Sequence, residues 1–109
     1  MNRNLRVRML RCIACTIEDV DQPFRTTCHH LNFDGKAGQV RRGDDYSIPC
    51  CEWHHLAKRL PGWSNDDMTH KYGPAIPLDS RQFRLAYGSD DELLATTNYN
   101  LARLLPATA

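Results

Sequence analysis

The sequence lacks the features of a membrane or secreted protein. No apolar run approaches the roughly 20 residues that a membrane-spanning helix needs, so we expect no membrane span. The start of the chain is charged, with Arg3 and Arg6 close together, and it does not resemble a signal peptide. We therefore expect a cytoplasmic protein.

Repeats, low-complexity tracts and breaks in composition are also missing from the 109 residues, which predicts one domain with a single core. The formal net charge is only +1, which argues against an overall polycation. The number of cysteines is odd, and an odd number fits a set of disulfides poorly. Five cysteines and five histidines exceed what core packing usually needs, so they favour a metal centre in a chain with reduced thiols.

Basic residues gather in two segments, although the net charge is small. Residues 1–11 form a basic arm in which arginines alternate with Val7 and Met9, a pattern that suits an extended strand or a flexible segment laid on a polyanion. A second group lies in a loop that contains glycines. We expect both groups to bind backbone phosphate, while any single member could be an ordinary solvated charge. The candidates are Arg8 and Arg11 in the arm and Lys36, Arg41 and Arg42 in the loop.

Local patterns predict two short strands followed by a helix. β-Branched and aromatic residues predict a first strand over 24–31, and a second strand is predicted over 46–49. The helix should cover 51–60, because Pro61-Gly62 breaks it. Residues 63–69 are polar, and a turn is predicted after them.

Two further helices are predicted in the last third of the chain. Gly88 is a good end for the first helix, and Ser89 with Glu92 forms a capping box that starts the second. Apolar residues lie on one face of each. These residues are Phe83, Ala86 and Tyr87 in the first helix and Leu94, Leu101 and Leu105 in the second. Together with the strands they predict an α+β fold.

The strongest chemical signal is a pair of motifs with two-residue spacing. Cys12 and Cys15 form a Cys-x2-Cys motif, and Cys51 with His54 forms a Cys-x2-His motif. Two such motifs can bring four donors together on a tetrahedral zinc ion with no open position, which is typical of a structural site. The alternative is that these are ordinary buried thiols. Cys50 is predicted to be outside the site.

The histidines beyond this site form a second, weaker signal. His29 and His30 are adjacent, and adjacent strand residues point to opposite sides, so one could bind a metal while the other faces a water molecule. Neighbouring histidines are more often surface residues or satisfied core residues. His55 and His70 change this balance, because four imidazoles outside the thiolate site could provide a second, open metal site.

The order of these motifs resembles the HNH endonucleases, which have a ββα-metal (His-Me finger) fold. More narrowly, it resembles the phage RecA-dependent nucleases of the recombination enhancement function family, over about residues 11–101. The motifs that carry the resemblance are, in chain order, Cys-x2-Cys, His-His-Leu, a Gly-Lys loop with basic residues, Gly-Asp-Asp-Tyr-Ser-Ile-Pro-x-Cys-x2-His-His, His-x2-Gly and Phe-x3-Tyr-Gly.

The resemblance implies a role for each matched histidine. His29 resembles the metal ligand that precedes the base, and His30 resembles the general base that deprotonates water. His55 resembles the second ligand of the catalytic cation. Asp44 or Asp45 falls near the family's middle Asn, which orients the base, so here an acid replaces an amide.

Two positions depart from the family pattern. Many HNH helices place another ligand four residues after the first, and here that position is Arg59, so either His70 or water completes the site. The phage members also have a long basic N-terminal extension, whereas this chain has only the short arginine arm.

The resemblance therefore implies a metal-dependent DNA endonuclease, with residues 12–109 as its nuclease domain and the basic arm before it. It implies a structural Zn²⁺, a catalytic Mg²⁺ or Mn²⁺, and DNA and a RecA nucleoprotein filament as partners in a bacterial or phage-infected cell. The alternative is a zinc-stabilised module that binds DNA or protein without cutting. Such a module would have no reason to gather His29, His30, His55 and His70.

Overall fold

A computed structural model describes residues 2–32, 43 and 45–104 of the chain. Within these ranges the architecture is α+β, in agreement with the sequence, and consists of a two-stranded sheet surrounded by helices. The elements in chain order are α1 (Arg3–Arg8), α2 (Ile13–Glu18), β1 (Thr26–His30), β2 (Ser47–Cys51), α3 (Glu52–Leu56), α4 (Asn65–Tyr72), α5 (Ser80–Tyr87) and α6 (Asp90–Leu104).

The two strands run antiparallel, and their register determines which side chains share a face. Thr27 lies opposite Cys50, and His29 lies opposite Ile48. Because side chains alternate along a strand, these four residues point to one face of the sheet. The other face carries Cys28, His30, Ser47 and Pro49. The first of these faces meets α3, which begins directly after β2.

Helices α1 and α6 cover the second face. Val7 of α1 and Leu101 of α6 are buried together with Cys28, and they form a small apolar cluster. Arg3 donates from its two terminal nitrogens to the carbonyl of Ser47 and to Asn98 Oδ1, at 2.9 and 2.8 Å. These contacts fasten the start of the chain to the sheet and to α6.

The expectation that the basic arm is extended or flexible is wrong, because Arg3–Arg8 is a helix. Asn2 caps it by accepting a hydrogen bond from the backbone N–H of Leu5. The alternation of arginine with apolar residues suits an extended strand or a flexible segment, but Val7 is buried against Cys28 and Leu101, and this packing favours the helix. Arg6 donates to the carbonyl of Leu101, whereas Arg8 and Arg11 are exposed.

Helices α3 and α4 also differ from expectation. α3 ends at Leu56 and not at residue 60, because Ala57 adopts a left-handed conformation with φ of 59°. The polar stretch after residue 62 and part of the predicted turn form α4. A capping box between Ser64 and Asp67 starts this helix. Met68 and Tyr72, spaced by four residues, are its buried face.

The two C-terminal helices are confirmed. The backbone N–H of Ser89 donates to the Glu92 carboxylate, and the N–H of Glu92 donates to the Ser89 hydroxyl, which is the predicted capping box. The buried stripe of α6 consists of Leu93, Thr97 and Leu101. Leu94 is only partly buried, and Leu105 lies outside the described residues. No helix in the described ranges is long and apolar enough to cross a membrane.

Candidate functional site

Three cysteines and one histidine meet in the core, and we call them the Cys3His cluster: Cys12, Cys15, Cys51 and His54. Cys12 is the N-cap of α2, and Cys15 lies one turn further along that helix. Cys51 is the last residue of β2, and His54 lies in the short α3. The two-residue spacing of each motif thus becomes one helical turn, and the four donor atoms lie within 4.8 Å of one another.

The donor distances fit a tetrahedral zinc ion. His54 Nδ1 lies 3.5, 3.6 and 3.4 Å from the sulfur atoms of Cys12, Cys15 and Cys51. The sulfurs of Cys15 and Cys51 are 3.9 Å apart. In a tetrahedral site, zinc bonds of about 2.3 Å to sulfur and about 2.1 Å to nitrogen place a nitrogen about 3.6 Å from each sulfur and two sulfurs about 3.8 Å apart. All four residues are buried, so the cluster can hold a metal such as zinc with no open position.

Groups around His54 hold its ring in the orientation that this requires. His54 Nε2 lies 2.7 Å from the carbonyl oxygen of Tyr72, which can only accept, so Nε2 carries the proton and Nδ1 faces the thiols. The Tyr87 hydroxyl donates to Glu18 at 2.7 Å and lies against the same histidine ring. Residues from α2, α4 and α5 therefore support one ligand.

The side chains of the cluster shift one another's pKa values. Hydrogen bonds from Cys15 and Cys51 lower the pKa of the Cys12 thiol, whereas the contacts of Cys15 with Cys12 and Cys51 raise its own pKa. Burial lowers the pKa of His54, but Cys12 and Cys51 outweigh burial and raise this pKa to about 9. A divalent cation bound here would favour the deprotonated form of each ligand, because metal binding releases the ligand protons. Burial also raises the pKa of Cys50, which lies outside the cluster as predicted.

A second group of side chains lies on the sheet face that meets α3. The rings of His29 and His55 are in edge contact, with centroids 5.1 Å apart, and we call them the histidine pair. The angle between the two ring planes is 68°, so the edge of one ring faces the other ring. Thr27, two residues before His29, contacts His55 Nδ1 through its hydroxyl at 2.7 Å.

Charged side chains of the C-terminal helices lie beside this pair. His29 lines a small cavity together with Arg84 of α5 and Asp90 of α6. Arg84 Nε and Asp90 Oδ1 form an ion pair at 3.2 Å, and both side chains are partly exposed. The sequence patterns identify neither residue, because no spacing in the chain links α5 and α6 to the histidines. Thr27 was also missed, although its two-residue spacing from His29 places both side chains on one face of a strand.

A family model described as recombination enhancement, RecA-dependent nuclease matches residues 2–102. The chain belongs to this family. The description indicates a nuclease, and hence an enzyme, that functions in recombination. No match to the chain is found among curated proteins or among solved structures.

The remaining candidate residues of this RecA-dependent nuclease family member lie in different places. His30 ends β1, on the sheet face opposite His29. Asp45 is exposed in the turn before β2. His70 lies on the exposed side of α4 and lines a depression with Trp63 and Asp67, and the described residues show no contact between it and the histidine pair. Asp44, Lys36, Arg41 and Arg42 lie outside the described residues.

Proposed function

We propose that this protein is a metal-dependent DNA endonuclease of the HNH class that acts with a RecA filament. The observation that carries the proposal is the histidine pair, held between β1 and α3 beside a closed metal cluster. The order β1, β2, α3 matches the arrangement expected of a ββα-metal core. The family description supports the nuclease activity and the dependence on RecA.

The Cys3His cluster has a structural role in this proposal. Its four donors come from α2, β2 and α3, so a bound zinc ion would join α2 to the consecutive elements β2 and α3, which lie far from it in the chain. With all four positions filled by protein, there is no place for water or phosphate on this ion. Chemistry therefore belongs to the other histidines.

His29 and His55 would hold the catalytic divalent cation, Mg²⁺ or Mn²⁺. When bound, this ion would stabilise the charge that develops on the scissile phosphate and on the leaving oxygen. His30 acts as the general base and takes a proton from the attacking water. His30 follows His29 directly on β1 and projects from the other face of the sheet, so the two imidazoles can take different roles.

Three further roles complete the proposal. Asp44 or Asp45 orients the general base, and His70 or water completes the coordination of the cation. The exposed Arg8 and Arg11 contact backbone phosphate, as do Lys36, Arg41 and Arg42. Phosphate contacts of this kind position DNA without reading its sequence.

A plasmid-nicking assay tests the function. The zinc-containing protein is incubated with supercoiled DNA and Mg²⁺ or Mn²⁺, with and without a RecA filament. We expect cutting that needs the divalent cation and increases with the filament. His55→Ala should abolish it, and Leu56→Ala should not, because Leu56 is the next residue of α3 and is 57% exposed.

The decisive negative result is a wild-type protein that binds DNA but cuts under none of these conditions. That outcome would favour the zinc-stabilised binding module, in which the histidine pair has no catalytic role.

A further inference from the structure

His54 and His55 are consecutive residues of α3, yet their rings are held through opposite nitrogen atoms. The carbonyl of Tyr72 contacts Nε2 of His54. The hydroxyl of Thr27 contacts Nδ1 of His55. A hydrogen bond at one ring nitrogen determines which nitrogen of a neutral imidazole keeps its lone pair for a metal. The two contacts therefore leave opposite nitrogen atoms for a metal, Nδ1 in His54 and Nε2 in His55.

The proton on His55 follows from the second contact of Thr27. The Thr27 hydroxyl lies 2.8 Å from the carbonyl oxygen of Cys50 and 2.7 Å from His55 Nδ1. A carbonyl oxygen only accepts, and a hydroxyl has one proton to donate. Both contacts are hydrogen bonds only if Thr27 donates to Cys50 and accepts from a protonated Nδ1. In the neutral ring, the lone pair is then on Nε2.

We propose that Thr27 is a positioning residue of the active site: its hydroxyl holds His55 in the tautomer with the proton on Nδ1, so that Nε2 is the atom that binds the catalytic cation. The proposal rests on the proposed function, in which His55 is a ligand of that cation. It adds a residue and an atom that the sequence motifs do not identify.

The strand geometry makes Thr27 suited to this role. Thr27 and His29 are two residues apart on β1, so their side chains project from the same face of the sheet. One strand thus supplies both a ligand, His29, and the group that orients the other ligand, His55. Because β1 is paired with β2 along its whole length, the spacing between these two side chains is set by the sheet.

The experiment uses three variants of the zinc-containing protein. Thr27→Val removes the hydroxyl and keeps the shape, and Thr27→Ser keeps the hydroxyl. Thr26→Val is a matched control, because the Thr26 hydroxyl also donates to a carbonyl, that of Leu10, and accepts from a side-chain N–H, that of Gln22. It points to the opposite face of the sheet and touches neither histidine of the pair.

Two measurements are made on each variant without reference to cleavage. The ¹⁵N chemical shifts of the His55 ring report its tautomer in the absence of added divalent cation, and a Mn²⁺ titration followed by electron paramagnetic resonance reports affinity. Zinc content and thermal unfolding check the fold. In the wild type, Thr27→Ser and Thr26→Val, we expect the proton on Nδ1. Thr27→Val should lose this preference and bind Mn²⁺ about 10–100-fold more weakly.

The proposal is overturned if Thr27→Val keeps the proton on Nδ1, or if its Mn²⁺ affinity falls no further than that of Thr26→Val. A wild-type protein that binds Mn²⁺ at the pair but does not cut DNA would contradict the proposed function and leave the role of Thr27 intact. A wild-type protein that binds no Mn²⁺ would overturn both.

Discussion

The Cys3His cluster and the histidine pair each include one histidine of the same short helix, α3, but they have opposite characters. His54 is fully buried among three thiols, whereas His55 is partly exposed beside one other imidazole. Four protein donors leave a metal ion no free position, while two imidazoles leave room for water and substrate. On the proposed assignments, burial and the number of protein donors, rather than the histidine itself, separate the structural role of His54 from the chemical role of His55.

Loss of a cluster ligand should have the largest effect on the molecule. A structural zinc in a small domain contributes about 10–16 kcal/mol of binding free energy that is also folding free energy, so Cys12→Ser or removal of zinc by a chelator should unfold the protein. His55→Ala, one residue beyond the cluster, should stay folded with its zinc. Circular dichroism and metal analysis measure both. A Cys12→Ser protein with the melting temperature of the wild type would contradict the structural role of the Cys3His cluster.

Substitutions within and next to the pair should separate the general base from the cation ligands. His30→Ala should lower the cleavage rate by about 10²–10⁴-fold, with zinc content and DNA binding unchanged, because a general base contributes to rate alone. His29→Ala should instead raise the Mg²⁺ or Mn²⁺ concentration needed for cutting, so excess metal restores part of its activity. The measurement is the nicking rate over a metal titration.

The opposite pattern, with metal rescue of His30→Ala and none of His29→Ala, would exchange the two roles. Cutting by His30→Ala at the wild-type rate would remove His30 from the mechanism.

Gly73 tests how much the closed cluster depends on its surroundings. Its φ of 91° is unfavourable for any other residue, and a Cβ there would collide with the Tyr87 hydroxyl and the Glu18 carboxylate. We expect Gly73→Ala to lose about 1–3 kcal/mol of unfolding free energy in urea and to bind zinc more weakly. Tyr87→Phe should lose about 1 kcal/mol.

The double variant sharpens this test. Tyr87→Phe removes the atom that a Cβ at Gly73 would meet first, so the double variant should lose less than the sum of the two single losses. Strict additivity would show that the collision with the Tyr87 hydroxyl does not contribute to the cost of Gly73→Ala.

The smallest effects are expected on the surface. Arg8→Ala and Arg11→Ala should weaken DNA binding similarly on unrelated sequences and reduce its salt dependence by about one unit per lost phosphate contact. Arg3→Ala should instead lower stability, because Arg3 is bonded to Ser47 and Asn98. Lys36, Arg41 and Arg42 should behave as Arg8 does. A loss confined to one DNA sequence would point to base reading.

Much of the cluster could be predicted from the sequence, because each pair of its ligands is local. A two-residue spacing brings both side chains together wherever the chain makes a helical or tight turn, so the remaining step was for the pair Cys12 and Cys15 to meet the pair Cys51 and His54. The patterns that predict the two strands and the capped C-terminal helices are equally local. In contrast, the contact of Tyr87 with Glu18 joins residues 69 positions apart, and no local pattern indicates it.

The errors have a similar physical origin. α1 is a helix because Val7 packs against Cys28 and Leu101, which lie far away in the sequence. α4 carried two signals that were overlooked, the Ser64-x-x-Asp67 capping box and the four-residue spacing of Met68 and Tyr72. The other residues of α4 are polar and form its exposed side, so the segment resembles a loop in composition.

The shortness of α3 bears on how the protein matures in the cell. A helix of five residues does not persist alone in water, so α3 depends on its packing and, in the proposed assignment, on a zinc ion held by Cys51 just before the helix and by His54 within it. On the proposed assignments, a newly synthesised chain without zinc would not keep His55 beside His29. The supply of zinc would then determine when the protein becomes able to cut DNA, and in a cell that lacks zinc the protein would accumulate in an inactive form.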